Sequence, residues 1–175
     1  MSHDDASSTV PPIGTLVVRT CSTDDVDLLV PLFAAIERDY EGAAAIAEPL
    51  IRERLAVFLA GHAPGTVLVA VDERALGFVT LFEVFPGQDL GRTWFVKDIF
   101  VLDDARSRGV GDALMRAAAR TVLDRGGSRL DLATGDDNHR AQRFYTRLGG
   151  APLPRVFYRF EEQALGALAE LPPAS

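Results

Sequence analysis

Residues 101–114 read VLDDARSRGVGDAL, with Arg106, Gly109 and Gly111 as their punctuation, and this stretch decides the fold. A β-rich run, Thr93–Val101, ends there; a short polar loop follows, and glycines stand where a helix begins. Glycine lets a backbone approach a ligand closely and adopt conformations that other residues avoid. The first-turn N–H groups of the helix then point outward as unsatisfied donors, aided by the helix dipole. Strand, loop and helix start together make a cradle suited to a pyrophosphate. A helix entry packed through two glycines has the same local appearance. A P-loop is excluded because Asp112 and Ala113 follow Gly111 in place of Lys and Ser or Thr, and a dinucleotide fingerprint because Leu114 occupies its third glycine position.

Outward from this turn, apolar spacing predicts a helix from Gly109 to Arg125, ended by Gly126–Gly127, then a strand at Leu130–Thr134. That is a β-α-β crossover, which requires a parallel pair. Upstream, Leu16–Arg19 reads as a strand, and Ser22–Thr23–Asp24 caps a helix running through Arg38. Glu48–Ala60 reads as a second helix; Val67–Val71 and Gly77–Glu83 read as strands joined by a turn at Asp72–Arg74. Downstream, Asn138–Leu148 reads as a helix stopped by Gly149–Gly150, and Arg155–Glu161 as a last strand. The order β-α-α-β-β-β-α-β-α-β describes an α/β (α+β) domain over residues 15–162. It carries a disordered polar arm at 1–14 and a tail at 163–175.

The bulk properties narrow the function classes. The 175 residues carry a net charge of −7, which disfavours nucleic acid and anionic membranes as partners. No apolar run approaches the roughly 20 residues of a membrane span, and the acidic start MSHDD lacks the regions of a signal peptide. One cysteine, Cys21, forms no internal disulfide, so a reducing, cytoplasmic setting is expected. Cys21, His62 and His139 have no metal-ligand spacing, and no metal is expected. Lys97 is the only lysine of the chain.

The RSRGVG turn (106–111), reached from the strand FVKDIFV (95–101), resembles the Arg/Gln-x-x-Gly-x-Gly/Ala signature of the GNAT superfamily of N-acetyltransferases. Downstream, NHRAQRFYTRLGG (138–150) resembles the superfamily's Asn…Ala…Phe-Tyr…Leu-Gly segment, and the likeness spans roughly residues 16–160. It implies a mixed, mostly antiparallel sheet with helices on both faces. A parallel, splayed pair of strands would form the slot for acetyl-coenzyme A.

By this resemblance, Arg106, Ser107, Arg108, Gly109, Val110, Gly111 and Asp112 would bind the pyrophosphate, and Ile99, Phe100 and Val101 would pair with the pantetheine arm. Asn138 would contact the cofactor, a position that equally suits a helix N-cap. Tyr145 would protonate the departing thiolate; an aromatic core role is the alternative. Asp98 is the candidate base, with structural ion pairing as the competing account; the family's frequent Glu-Asp pair is Lys97–Asp98 here. Strict alternation would put Asp98 and Phe100 on one face, opposite Lys97 and Ile99. Glu37, Tyr40, Glu41 and Glu83 would form an acidic pocket for a small-molecule amine, after the small-amine (diamine and polyamine) acetyltransferases. A protein amine as acceptor, an acyl-coenzyme A sensor without turnover, and a homodimer are also compatible with the resemblance.

Overall fold

Thr66–Val71 (TVLVAV, β2) is apolar on both faces, and its first five residues are buried. A strand of this kind needs cover from both sides. The computed structural model describes residues 15–62, 64–87 and 90–170. The expected arm at 1–14 and the end of the expected tail lie outside the described residues. The chain divides into two compact units, Met1–Gly135 and Asp136–Ser175.

In the first unit, β1 (Val17–Thr20), β2, β3 (Ala75–Val84), β4 (Arg92–Val101) and β5 (Gly127–Leu132) form one sheet in sequence order. The pairs are antiparallel up to β3–β4, and β4–β5 is parallel. Helices α1 (Val26–Glu41) and α2 (Glu48–Val57) cover one face, and α3 (Val110–Asp124) makes the crossover on the other. The period-two pattern distributes the strand residues. Val67, Val69, Phe78 and Phe100 pack with Leu29, Leu32, Ile51 and Leu55 on the α1–α2 side. Leu68, Ala70, Val79, Leu81 and Trp94 pack with Val110, Leu114, Ala118 and Val122 under α3.

Local chemistry explains most boundaries. Ser22 closes a capping box: its hydroxyl accepts the Asp24 N–H, and its own N–H donates to the Asp25 carboxylate at 2.8 Å. The first turn is a 3₁₀ turn, Thr23–Asp25, before α1 proper. After Val57 the chain winds through a wider turn, Phe58–His62, with Gly61 at φ +83°, so α2 stops short of the expected Ala60. Strand β5 begins at Gly127, three residues before the expected Leu130. A Cβ there would stand 2.6 Å from Val122 and 2.7 Å from Trp94, so glycine admits the close packing.

The second unit contains α4 (His139–Arg147) and α5 (Glu162–Ala169). The expected strand at Arg155–Glu161 is not formed. No ladder among the described residues includes it, and Val156, Phe157, Tyr158 and Phe160 are all exposed. Strand propensity becomes a strand only with a partner edge. The tail beyond Glu162 is helical through Ala169.

The N-terminal clasp of α1 generates a stability prediction. Arg19 grips Asp25 through two hydrogen bonds of 2.6 and 2.8 Å. These bonds, with help from the Ser22 N–H against the opposing effect of burial, lower the Asp25 carboxyl to about 2. Asp25→Ala should cost about 1–2 kcal/mol, read as a lower denaturation midpoint at neutral pH. Because the folded-state pKa is depressed, the contribution is complete above the ordinary carboxylate value of about 4 and fades as pH falls toward the lowered one. The gap between wild type and variant should therefore shrink with acid.

Candidate active site

The register of β3 against β4 slips by one residue in the middle of the sheet. Thr80 faces Asp98, but Leu81 faces Val96, so Lys97 is an extra residue in β4. This β-bulge changes which face the side chains take. Val96 and Ile99 both pack on the α3 side, while Lys97 and Asp98 both line a cavity on the α1–α2 side. The expectation that Lys97 opposes Asp98 is corrected by that inserted residue; Ile99 does lie on the opposite face. The hydroxyl of buried Thr80 holds the bulge, accepting the Asp98 N–H at 3.0 Å and donating to the Asp98 carbonyl at 3.4 Å.

Beyond the bulge, β4 and β5 part. Their parallel pairing runs from Arg92–Gly127 to Val96–Leu132 and goes no further. From Asp98 to Val101, β4 is paired only with β3, leaving an open edge toward β5. Leu102 N–H bonds Leu76 O, and Phe78 stands opposite Phe100. Alternation therefore turns the backbone groups of Phe100 toward β3 and those of Ile99 and Val101 toward the open edge. The Phe100 side chain belongs to the core on the α1–α2 side.

The glycine turn continues from this edge. Gly109, at φ +80°, is the N-cap of α3, and nothing lies within 4 Å of where its Cβ would be. Ser107 also has a positive φ, +62°. The first backbone bond closing onto the cap is from Ala113 N–H to Gly109 O, so the N–H groups of Val110, Gly111 and Asp112 precede the helical ladder. The two arginines differ. Arg106 donates through Nε to Val101 O at 3.1 Å, pairs with Asp103 at 2.6 Å and approaches Asp39 of α1 at 3.9 Å. It is a structural clasp. Arg108 has a buried Nε without a hydrogen-bond partner. An orphaned guanidinium nitrogen beside a glycine-capped helix start fits the phosphates of coenzyme A.

The cavity on the α1–α2 side has a volume of ≈ 320 Å³. Phe33 and Glu37 of α1, Ile51, Arg54 and Leu55 of α2, and Phe58 bound it above. Val67, Thr80, Phe82, Lys97 and Asp98 form its floor. Asp98 keeps 20 % of its side chain exposed, with Lys97 Nζ at 3.6 Å. Tyr40 extends from the end of α1, with its hydroxyl within the influence of the Asp98 carboxylate. Partial burial of that hydroxyl, then the charge and hydrogen-bonding influence of Asp98, push the phenol above its ordinary value, although the residue as a whole is 65 % exposed. Glu41 is exposed at the helix end. Glu83 is engaged by Arg92 at 3.5 Å and does not line the cavity. Of the four expected acceptor residues, then, Glu37 is on the wall, Tyr40 reaches Asp98, and Glu41 and Glu83 are elsewhere.

Thr80 and Arg54 escaped the sequence reading. No sequence pattern announces the bulge that engages Thr80. Arg54 did have a signal: it shares the helical stripe of Ile51, Leu55 and Phe58.

In the second unit, Asn138 caps α4, its Oδ1 accepting the Ala141 N–H at 3.0 Å. Tyr145 is half-buried, with its ring edge-on to Phe144 at 5.2 Å. Cys21 packs against the core on the α1–α2 side, and burial, then the Asp25 charge, push its thiol up to about 12 against the opposing Arg19. It stays protonated at neutral pH and is a poor nucleophile. No cluster of three metal-ligating side chains occurs among the described residues, and no described helix is long and apolar enough to cross a membrane.

The mixed sheet thus opens after Val96, beside a glycine-capped helix start. The comparisons name the family. Residues 30–150 match the acetyltransferase (GNAT) family, and the chain belongs to it. It is 28% identical over 132 residues to an uncharacterised N-acetyltransferase of Archaeoglobus fulgidus, covering 73% of this chain and 88% of that one. A thialysine N-epsilon-acetyltransferase of Bos taurus is 36% identical over 83 residues, 45% of this chain and 49% of the relative. An integron cassette protein from the mobile metagenome of V. cholerae superposes with a TM-score of 0.80 at 30% identity, over 90% of this chain and 99% of that chain. The protein is therefore an acetyltransferase.

Thr80→Val keeps the shape of the side chain and deletes the group that bonds Asp98. It should cost about 1–3 kcal/mol of stability and slow turnover, because a buried N–H loses its acceptor and the bulge loosens. Chemical denaturation and steady-state rates on the same preparation check both effects.

Proposed function

We propose that this acetyltransferase moves the acetyl group of acetyl-coenzyme A onto the primary amine of a small molecule by direct attack on the thioester. The observation that carries the reading is Asp98, set on the bulge at the floor of a mostly apolar cavity, on the strand whose next residues border the open edge. A cavity of ≈ 320 Å³ is at the small end of the range for small-molecule sites, which favours a compact acceptor over a polypeptide. The bovine relative, named for acetylation of thialysine, supports the same class.

Acetyl-coenzyme A, the donor used in the family, supplies the activated acetyl group. The N–H groups of Val110, Gly111 and Asp112 and the Arg108 guanidinium hold its phosphates, while Arg106 and Ser107 shape the loop. The backbone of Ile99 and Val101 meets the pantetheine, and the Val101 N–H polarises the acetyl carbonyl. Asn138, besides capping α4, lends the cofactor a polar contact. Asp98 accepts the proton of the amine as its nitrogen bonds the acetyl carbon, with Tyr40 orienting the carboxylate. Tyr145 returns a proton to the sulfur as the carbon–sulfur bond breaks. Glu37, on the cavity wall, attracts the cationic acceptor.

Thiol release, measured with acetyl-coenzyme A across a panel of amines, amino acids, aminoglycosides and peptides, tests the reading. Turnover should concentrate on small amines. Tight donor binding without thiol release for any acceptor would establish a sensor instead. Tyr145→Phe should lower kcat by about 10²-fold or more, and full turnover at every pH would remove Tyr145 from the mechanism. Cys21→Ser should retain activity, since a thiol with a pKa of about 12 forms no acyl-enzyme at neutral pH.

A further inference from the structure

The bulge brings a carboxylate and a primary amine of β4 into the same cavity. Asp98 and Lys97 both line its floor. Lys97 Nζ stands 3.6 Å from Asp98 Oδ1, and its side chain is largely open to solvent. Among the described residues, Asp98 is the one acid in ion-pair contact with it.

A protonated lysine is no nucleophile, because its lone pair is occupied; a hydrated lysine far from any base stays in that state. Lys97 meets the conditions that an acceptor amine has to meet. A carboxylate lies within reach to take its proton, since rotation about a flexible four-carbon stem closes a separation of 3.6 Å. The strand that carries it runs directly into Asp98–Val101, the open edge assigned above to the pantetheine arm. Its tether also removes the binding step. The amine is present at high effective concentration whenever no acceptor occupies the cavity.

Building on the reading of Asp98 as base and acetyl-coenzyme A as donor, we propose that Lys97 is a site of self-acetylation within one chain. The Nζ lone pair bonds the acetyl carbon as the carbon–sulfur bond breaks, leaving an amide on Lys97 and free coenzyme A. Two protons leave the nitrogen: one ends on the sulfur, and the other passes through Asp98 to solvent. The product is neutral, so Asp98 loses its facing cation and the cavity becomes more acidic. Donor supplied without acceptor thereby changes the charge of the site that receives the acceptor.

The test incubates the full-length protein with acetyl-coenzyme A and no acceptor, and follows the mass of the intact chain. Peptide mapping should place one acetyl group on Lys97, distinguished from the α-amino group, the other primary amine of the chain. The rate should be independent of protein concentration and exceed that of the urea-unfolded chain by about tenfold or more. Asp98→Asn should lower the folded rate by about tenfold or more, and Lys97→Arg, which keeps the charge and offers no amine, should abolish the gain. Circular dichroism confirms that both variants fold; the comparison of folded with unfolded wild type stands without them. Modification no faster in the folded chain, equally fast in Asp98→Asn, or accelerating with protein concentration overturns the proposal. Thiol release with small amines while Lys97 stays unmodified overturns it and leaves the small-amine reading intact. Acetylated Lys97 with no turnover of any amine does the reverse, and neither event overturns both.

Discussion

One additional residue in β4 sets which face of the sheet its charged pair takes. Lys97 has no partner across the ladder, and the phase of the strand shifts as it passes. Without that shift, a polar pair would be divided between the two faces of the sheet, with one charge driven under α3 into hydrocarbon. With it, both side chains enter the same cavity and the apolar sequence resumes in step on each side. A bulge also bends and twists its strand, and pairing with β5 stops at the residue before it. The cavity and the open strand edge thus share a single local cause. The Thr80 hydroxyl makes that cause affordable by bonding both backbone groups of Asp98.

Several charges in this chain are committed to architecture. Arg19 and Asp25 secure the start of α1. Arg106 ties the glycine turn to the last carbonyl of β4 and to the end of α1, so the turn and the helix bordering the cavity are held by one guanidinium. Arg108 at the turn, and Glu37 and Arg54 at the cavity, carry no such ties among the described residues. A side chain already holding two or three partners is a poor candidate for ligand recognition, whatever its position in a motif.

The order of elements through β5 and the identity of the glycine turn were legible in the sequence, because they rest on local rules: period-two and 3.6-residue patterns, capping chemistry and glycine placement. Asp98 was legible as a carboxylate on the fourth strand, and Tyr40 and Glu37 as polar groups near the end of α1. The side taken by Lys97 was not. It depends on how one strand registers against another, and a single inserted residue reverses the answer. The strand expected at Arg155–Glu161 is a different kind of miss. Its propensity was read correctly, but propensity does not supply an edge to pair with. The different fates of Arg106 and Arg108 were equally out of reach, since two arginines in one turn have the same spacing whether they serve as clasp or as receptor.

The composition adds a practical property to the bulge. The only lysine of the chain is the residue that the bulge inserts, and 64 % of its side chain is open to solvent while it lines the cavity. A reagent selective for side-chain amines consequently finds a single address on the folded molecule, at the mouth of the site itself. The protein carries a built-in reporter of whether that mouth is covered, with no engineering needed to install it.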